Sequence, residues 1–313
     1  MVTDEHAPDM GAAPPPQSPD DSAPTSEPTS EPTMTDPPIE QRLAASGLAA
    51  APGGERVALA DFGTWAVVTL QKPDQLNALD HAAWLRLGGL LHDLRSRTDL
   101  RLVVLRGAGD RAFAAGADIS EFPQERLSVQ AALRYNEAVA TAIRRLMTLP
   151  VPVIAMVNGL AVGGGCELAA ACDVRVAAAH SRFGIPVGRL GVMLGPLEAY
   201  AVARVIGTAR LKWLLFSGAL ISAEHALSIG LIDQVVASHD LPRQVASLVK
   251  NILDSSATTM RAAKQVSSIV SRGPTLDDFD LVTRLSVETY DGPDLKRGVA
   301  SFLERTTPEP GEG

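Results

Sequence analysis

The stretch 151–173, VPVIAMVNGLAVGGGCELAAACD, constrains this chain more than any other. Residues 153–157 are apolar and read as a buried strand, ended by Asn158-Gly159. A short apolar link leads to Gly163, Gly164 and Gly165. The small residues 167–172 then read as a buried helix with a single carboxylate, Glu167, in its first turn. Glycine lets main chain approach a ligand closely. The first N–H groups of a helix have no partner inside it and can point at an anion. Glu167, among Ala, Leu and Cys, would be partly desolvated, which raises a carboxyl pKa toward the range useful for proton transfer. Such a stretch can set N–H donors and a base around one reacting carbonyl. The plainer alternative is tight packing by glycines and an acid favoured by the helix dipole.

The rest of the composition bounds the partners. Hydrophobic residues make up 46% of the 313 residues, which is ample for a core, and aromatics only 4%, so packing relies on Ala, Val and Leu. A net charge of −8 argues against a nucleic-acid surface. No apolar run approaches the roughly 18 residues of a membrane span. The acidic N-terminus, free of Lys and Arg before Arg42, fits neither a secretory signal nor a mitochondrial presequence. Cys166 and Cys172 would point to different faces of one helix, so no disulfide is expected and a reducing cytoplasm fits. The six histidines are scattered without metal-ligand spacing, and no metal site is expected.

Residues 1–52 are rich in Pro, Ser, Thr and acids and read as a disordered tail. A catalytic core is expected over 53–240, a helical segment over 241–306 and a flexible end over 307–313. Residues 57–61 and 64–70 read as a hairpin around Phe62-Gly63. Asp80 is a plausible N-cap for a helix whose apolar side carries Trp84, Leu87, Leu91 and Leu94. A short buried strand at 102–105 precedes a small-residue loop, 113–119. The Gly107-x-Gly109 pair lacks the third glycine and the following helix of a dinucleotide loop, and that reading is rejected. A long helix is expected over 126–147, strands at 174–177 and 232–236, and an irregular loop over 185–194. Helices are expected at 196–205, 208–216 and 222–229. Strand–helix alternation followed by helices implies an α/β fold with a helical C-terminal segment.

Five separated motifs, LNALD, RAFAAGADISEF, PVPVIAMVNGLAVGGGCELAAACDVRVAAAHSRFGIPVGRLG, LLFSGALISAEHALSIGLIDQVV and LKRGVASFLERT, together strongly resemble the crotonase (enoyl-CoA hydratase/isomerase) superfamily over nearly all of 56–306. The resemblance implies a spiral of ββα units with C-terminal helices that build trimers, commonly paired into hexamers. It implies an acyl-CoA thioester substrate and no separate cofactor, coenzyme A being part of the substrate. An oxyanion hole would be formed by the amides of Ala117 and Gly164, each such donor being worth roughly 3–4 kcal/mol in the transition state. Residues Ala115, Ala117, Asp118, Ile119 and Ser120 would lie along the CoA moiety. Glu167 matches one of the two glutamates that hydratases use.

The second glutamate is expected in an FGxPE segment, which here reads Phe183-Gly184-Ile185-Pro186-Val187. Valine cannot hold a proton. In the following loop Glu198 stands in a segment that lines the family's active site and could substitute. Its preferred reading is nevertheless a solvated helix-start acid beside Pro196. Hydration of an enoyl-CoA is the default reaction. A single acid would suit double-bond isomerisation or decarboxylation of a malonyl-type thioester, and loss of the second acid leaves room for a non-catalytic acyl-CoA binder. Arg189 and Lys212 could meet CoA phosphates, although surface charge is their plainer reading. Lys264 and Lys296 are equally unassigned, and a neighbouring subunit's helix could bring one of them to the nucleotide.

Overall fold

The structure, a computed structural model, describes residues 37–46 and 55–305. The expected tail and flexible end otherwise lie outside the described residues. The tail reading needs one correction: Ile39–Ser46 forms a helix, α1. Ile39 and Leu43 stand four residues apart on one side of it, and Leu43 is fully buried among apolar residues of the core. The carbonyl of Leu43 accepts from the Arg106 guanidinium, and that of Ser46 from Thr69 Oγ1 at 3.1 Å. Composition concealed this short anchor because the residues on both sides of it are polar or small.

The hairpin is present as β1 (Val57–Asp61) and β2 (Trp65–Leu70), paired antiparallel. Helix α2 (His81–Arg95) follows, with Asp80 accepting from Ala83 N at 2.8 Å as its N-cap. Three turns of strand, strand and helix then wind past one another. The first is β3 (Leu102–Gly107), β4 (Ala112–Ala114), the single-turn α3 (Phe122–Glu125) and α4 (Val129–Met147). The second is β5 (Val153–Val157), β6 (Leu160–Val162) and α5 (Gly164–Ala171). The third is β7 (Val174–Ala178), β8 (Arg182–Gly184) and α6 (Pro196–Ser217). The first strand of each turn joins a six-stranded sheet, β1-β2-β3-β5-β7 closed by β10 (Gln234–Val236). The second joins a smaller sheet, β4-β6-β8-β9, with β9 at Ile221–Ser222. Apart from the β1–β2 and β8–β9 pairs, the strands run parallel. This is the expected ββα spiral.

Local chemistry sets the boundaries. Gly207, at φ 77° and ψ 157°, interrupts α6, so the two helices expected on either side of it are present as halves of one run. The helix expected from residue 126 starts later: Ser128 accepts from Ala131 N at 3.2 Å and caps α4. Residues 113–114, expected in a loop, and 160–162, expected as a link, instead belong to β4 and β6, strands too short to carry a clear pattern. Helix α7 (Ala223–Ser228) precedes β10. From Leu241 the chain is helical: α8 (Leu241–Asp254), α9 (Ala257–Arg272), α10 (Asp278–Asp291) and α11 (Pro293–Arg305). Leu241, Val245 and Val249 of α8 pack with α1 against Trp65, Val67, Ile154 and Val176 of the large sheet.

Candidate active site

A cavity of about 200 Å³ opens where the loop after β4 meets the start of α5. Gly116 sits at φ +94°, a conformation glycine adopts without steric cost. A Cβ there would stand 2.8 Å from Val162 O and 3.4 Å from Gly164 N, so the two loops touch. A Cβ on Gly164 would meet Trp84 at 2.8 Å, which leaves glycine as the residue that fits.

The same contacts orient two amides. Leu79 N donates to Gly116 O at 2.7 Å, and Asp118 N donates to Leu79 O at 2.9 Å. In a parallel bridge of this kind the residue between, Ala117, turns its own N–H the other way. Gly164 is the first residue of α5, and its N–H has no partner inside the helix. Ala117 and Gly164 both line the cavity. The arrangement can present two unpaired main-chain donors to one oxygen.

Glu167 follows one turn into α5, with its N–H bonded to Gly163 O at 3.0 Å, and its side chain reaches the cavity wall. It is only 5% exposed. Burial, and then the carboxylate of Glu198, push its pKa up to about 8, against the pull of Arg126. Glu198 corrects the expectation of a solvated acid. Pro196 does open α6, but Glu198 is 5% exposed, lines the same cavity, and has a buried Oε2 without a hydrogen-bond partner. Burial raises its pKa too, opposed by its own backbone N–H and by Arg126.

Of the other residues expected along the substrate, Ala115 and Ile119 line the cavity, whereas Asp118 and Ser120 do not. Asp118 instead bonds Lys72 Nζ at 2.6 Å and accepts from the Ser120 N–H at 3.0 Å, which fastens the loop. Its pKa is lowered by Lys72 and Ser120 despite burial. Val187 lines the cavity at the place expected of the second acid. Lys264, considered for a nucleotide contact, is committed inside the chain, with Nζ 2.6 Å from Asp173 and 2.8 Å from Val151 O. Both cysteines are free and buried. Among the described residues no cluster of three His, Cys, Asp or Glu could hold a metal ion, and no helix is long and apolar enough to cross a membrane.

Sequence reasoning missed the other wall. Trp84, Phe122, Tyr135 and Val139 from α2, α3 and α4, with Arg126 at the C-terminal cap of α3, line the same cavity as Glu167 and Glu198. Arg126 was read as part of the long helix. The available signal was Ser128, a good N-cap that detaches the residues before it.

The enoyl-CoA hydratase/isomerase family model matches residues 63–312. The short-chain-enoyl-CoA hydratase of Clostridium acetobutylicum is 32% identical over 255 residues, covering 80% of this chain and 95% of that protein. The crotonyl-CoA hydratase of Syntrophomonas wolfei is 30% identical over 244 residues, 77% of this chain and 92% of that protein. Among solved structures, an enoyl-CoA hydratase/carnithine racemase from Magnetospirillum magneticum superposes with a TM-score of 0.75 at 31% identity, covering 80% of this chain and 93% of that one. An enoyl-CoA hydratase from Bacillus anthracis superposes with a TM-score of 0.74 at 28% identity, over 82% and 98% of the two chains. A spiral fold shared along almost the whole length of these relatives, with a buried acid beside glycine loops, means that this chain belongs to the enoyl-CoA hydratase/isomerase family and is an acyl-CoA-processing enzyme of the crotonase superfamily.

Proposed function

We propose that the protein adds water across the α,β double bond of an enoyl-CoA thioester. The observation that carries this reading is the second buried carboxyl group, Glu198, in the cavity of Glu167. It supplies from another element the proton chemistry that Val187 cannot. The amides of Ala117 and Gly164 form an oxyanion hole for the thioester oxygen, and the acyl-CoA runs along residues 115–120. The ionised member of the Glu167–Glu198 pair takes a proton from water as the water oxygen bonds to Cβ. The π electrons shift to the thioester oxygen, giving an enolate held by the two amides. The protonated member then delivers its proton to Cα, which restores the carbonyl. Two relatives named as short-chain-enoyl-CoA and crotonyl-CoA hydratases support the choice of a short substrate. The chemistry calls for no resident cofactor.

Crotonyl-CoA absorbance tests the reading. Glu167→Gln and Glu198→Gln should each slow hydration by about 10²–10⁴-fold. Undiminished turnover in Glu198→Gln would remove it from the chemistry. Val187, an apolar residue lining the same cavity as Glu167, favours a second reading, isomerisation by a single acid. Shift of a 3-enoyl thioester without hydration would select it, and decarboxylation of a malonyl thioester a third. Binding without turnover of any of these would leave an acyl-CoA carrier.

The reading extends to assembly and location. Exposed Phe279, Tyr290 and Phe302 on α10 and α11 suit a homotrimer or a hexamer of paired trimers. The two free thiols suit the cytoplasm.

A further inference from the structure

Among the described residues, Arg126 is the one cation that lines the cavity. Its guanidinium lies over the ring of Tyr135, 4.0 Å from the centroid, and 5.2 Å from that of Phe122. Tyr135 is a rigid platform, because it is fully buried, accepts from Trp84 Nε1 at 3.2 Å and donates to Leu79 O at 2.9 Å. The acids nearest in sequence are turned elsewhere. Glu121 accepts from His81 N at 2.9 Å, and Glu125 lies 3.3 Å from His81 Nδ1. His81 is half-buried and stacked on the Tyr135 ring. Arg126 Nε is buried without an acceptor. Folded proteins rarely leave a buried donor or a buried charge uncompensated.

We propose that Arg126 is a specificity residue that binds a second carboxylate, carried on the acyl chain of the thioester. The substrate class becomes the dicarboxylic acyl-CoA, rather than the plain fatty acyl-CoA. Three features support this. Arg126 lines the same cavity as the two glutamates, yet among the described residues it forms no ion pair with either. Arg126 acts on Glu167 and Glu198 through its charge alone, pulling the pKa of each down against burial, and its buried Nε is left without a carboxylate partner. The intervening walls, Trp84, Val139, Val187 and Leu194, are apolar, which suits the methylene chain joining a thioester to a distant carboxylate.

The inference rests on the acyl-thioester reading of the cavity, and the test separates the two. Calorimetric titration of the full chain would compare glutaryl-CoA with pentanoyl-CoA, a pair of equal carbon number that differs in the terminal carboxylate. The wild type should bind glutaryl-CoA about tenfold or more tightly than pentanoyl-CoA, the effect of one charge-assisted bidentate contact. Arg126→Met should erase the ratio, and Arg126→Lys should restore part of it. The ratio within each protein cancels any general weakening of the site. A wild-type ratio near one, or a ratio unchanged by Arg126→Met, would overturn the inference while leaving the acyl-CoA site intact. Failure of both thioesters to bind the wild type would overturn the site itself. Should Arg126→Met fail to fold, the wild-type ratio and Arg126→Lys decide the matter.

Discussion

At the scale of residues, one buried acid was legible and its partner was not. Glu167 stands in a helix of Ala, Leu and Cys, and that neighbourhood alone announces desolvation. Glu198 follows a proline at a helix start, a place where acids are usually solvated, and no local pattern shows that α6 carries it inward. Arg126 was hidden for the same reason: the chain break before Ser128 decides where it points. The raised pKa of Glu167 has a consequence for stability. A carboxyl group whose folded pKa lies near 8, above its ordinary 4.5, favours the folded state below 4.5 and loses that contribution as pH rises through 8. Between pH 5 and 9 the wild type should lose on the order of a few kcal/mol from this group. Glu167→Gln cannot titrate there. Its melting temperature relative to wild type should therefore climb with pH across that window, by thermal unfolding at matched ionic strength. A difference that stays constant would mean that Glu167 titrates in the folded protein as it does in the unfolded chain, with no upward shift.

At the scale of elements, periodicity revealed long helices and central strands because each has enough residues to repeat a pattern. The three-residue strands β4 and β6 do not, yet they make the floor of the site: β4 leads into the Ala115–Ala117 loop and β6 into Gly163. The approach of α5 to β4 leaves no room for a side chain, since a Cβ on Gly165 would stand 2.1 Å from Ala114 O. Backbone on both sides cannot yield, so Gly165→Ala should abolish soluble folded protein, or move α5 and lower kcat/KM by about tenfold or more as the donors shift. Soluble expression and crotonyl-CoA kinetics read this directly, and wild-type behaviour in both would refute the close approach. Helix α1 invites the opposite outcome. Leu43 is fully buried in the cluster on the far side of the large sheet from the catalytic loops. Leu43→Ala should cost about 2–4 kcal/mol in denaturant unfolding, with kcat/KM held within about twofold. Unchanged stability would mean that α1 is not docked.

At the scale of the whole molecule, the motif order pointed to a spiral core, and the chain delivers one, but the C-terminal helices are not a finished structure by themselves. In α9 the buried apolar side chain is Ile269, and in α10 it is Leu285. Meanwhile Val270 is 69% exposed, Phe279 68%, Tyr290 68% and Phe302 69%. Helices of this length gain most of their stability from packing an apolar face, so these faces require a cover. Trp213 and Phe216 of α6, 49% and 83% exposed, present a further apolar surface. A closed ring in which the C-terminal helices of one copy meet a different face of the next would cover both without leaving an open end. Light scattering should then give about 100 kDa for a trimer or about 200 kDa for a hexamer, from 32.9 kDa per chain. Phe279→Asp should shift that mass downward and lower the melting temperature, because a charge buried at the joint has no counter-ion there. A wild-type mass near that of one chain would leave these side chains in water and refute the ring. An unchanged mass in Phe279→Asp would place the joint elsewhere, with Phe216→Asp as the next surface to lose it.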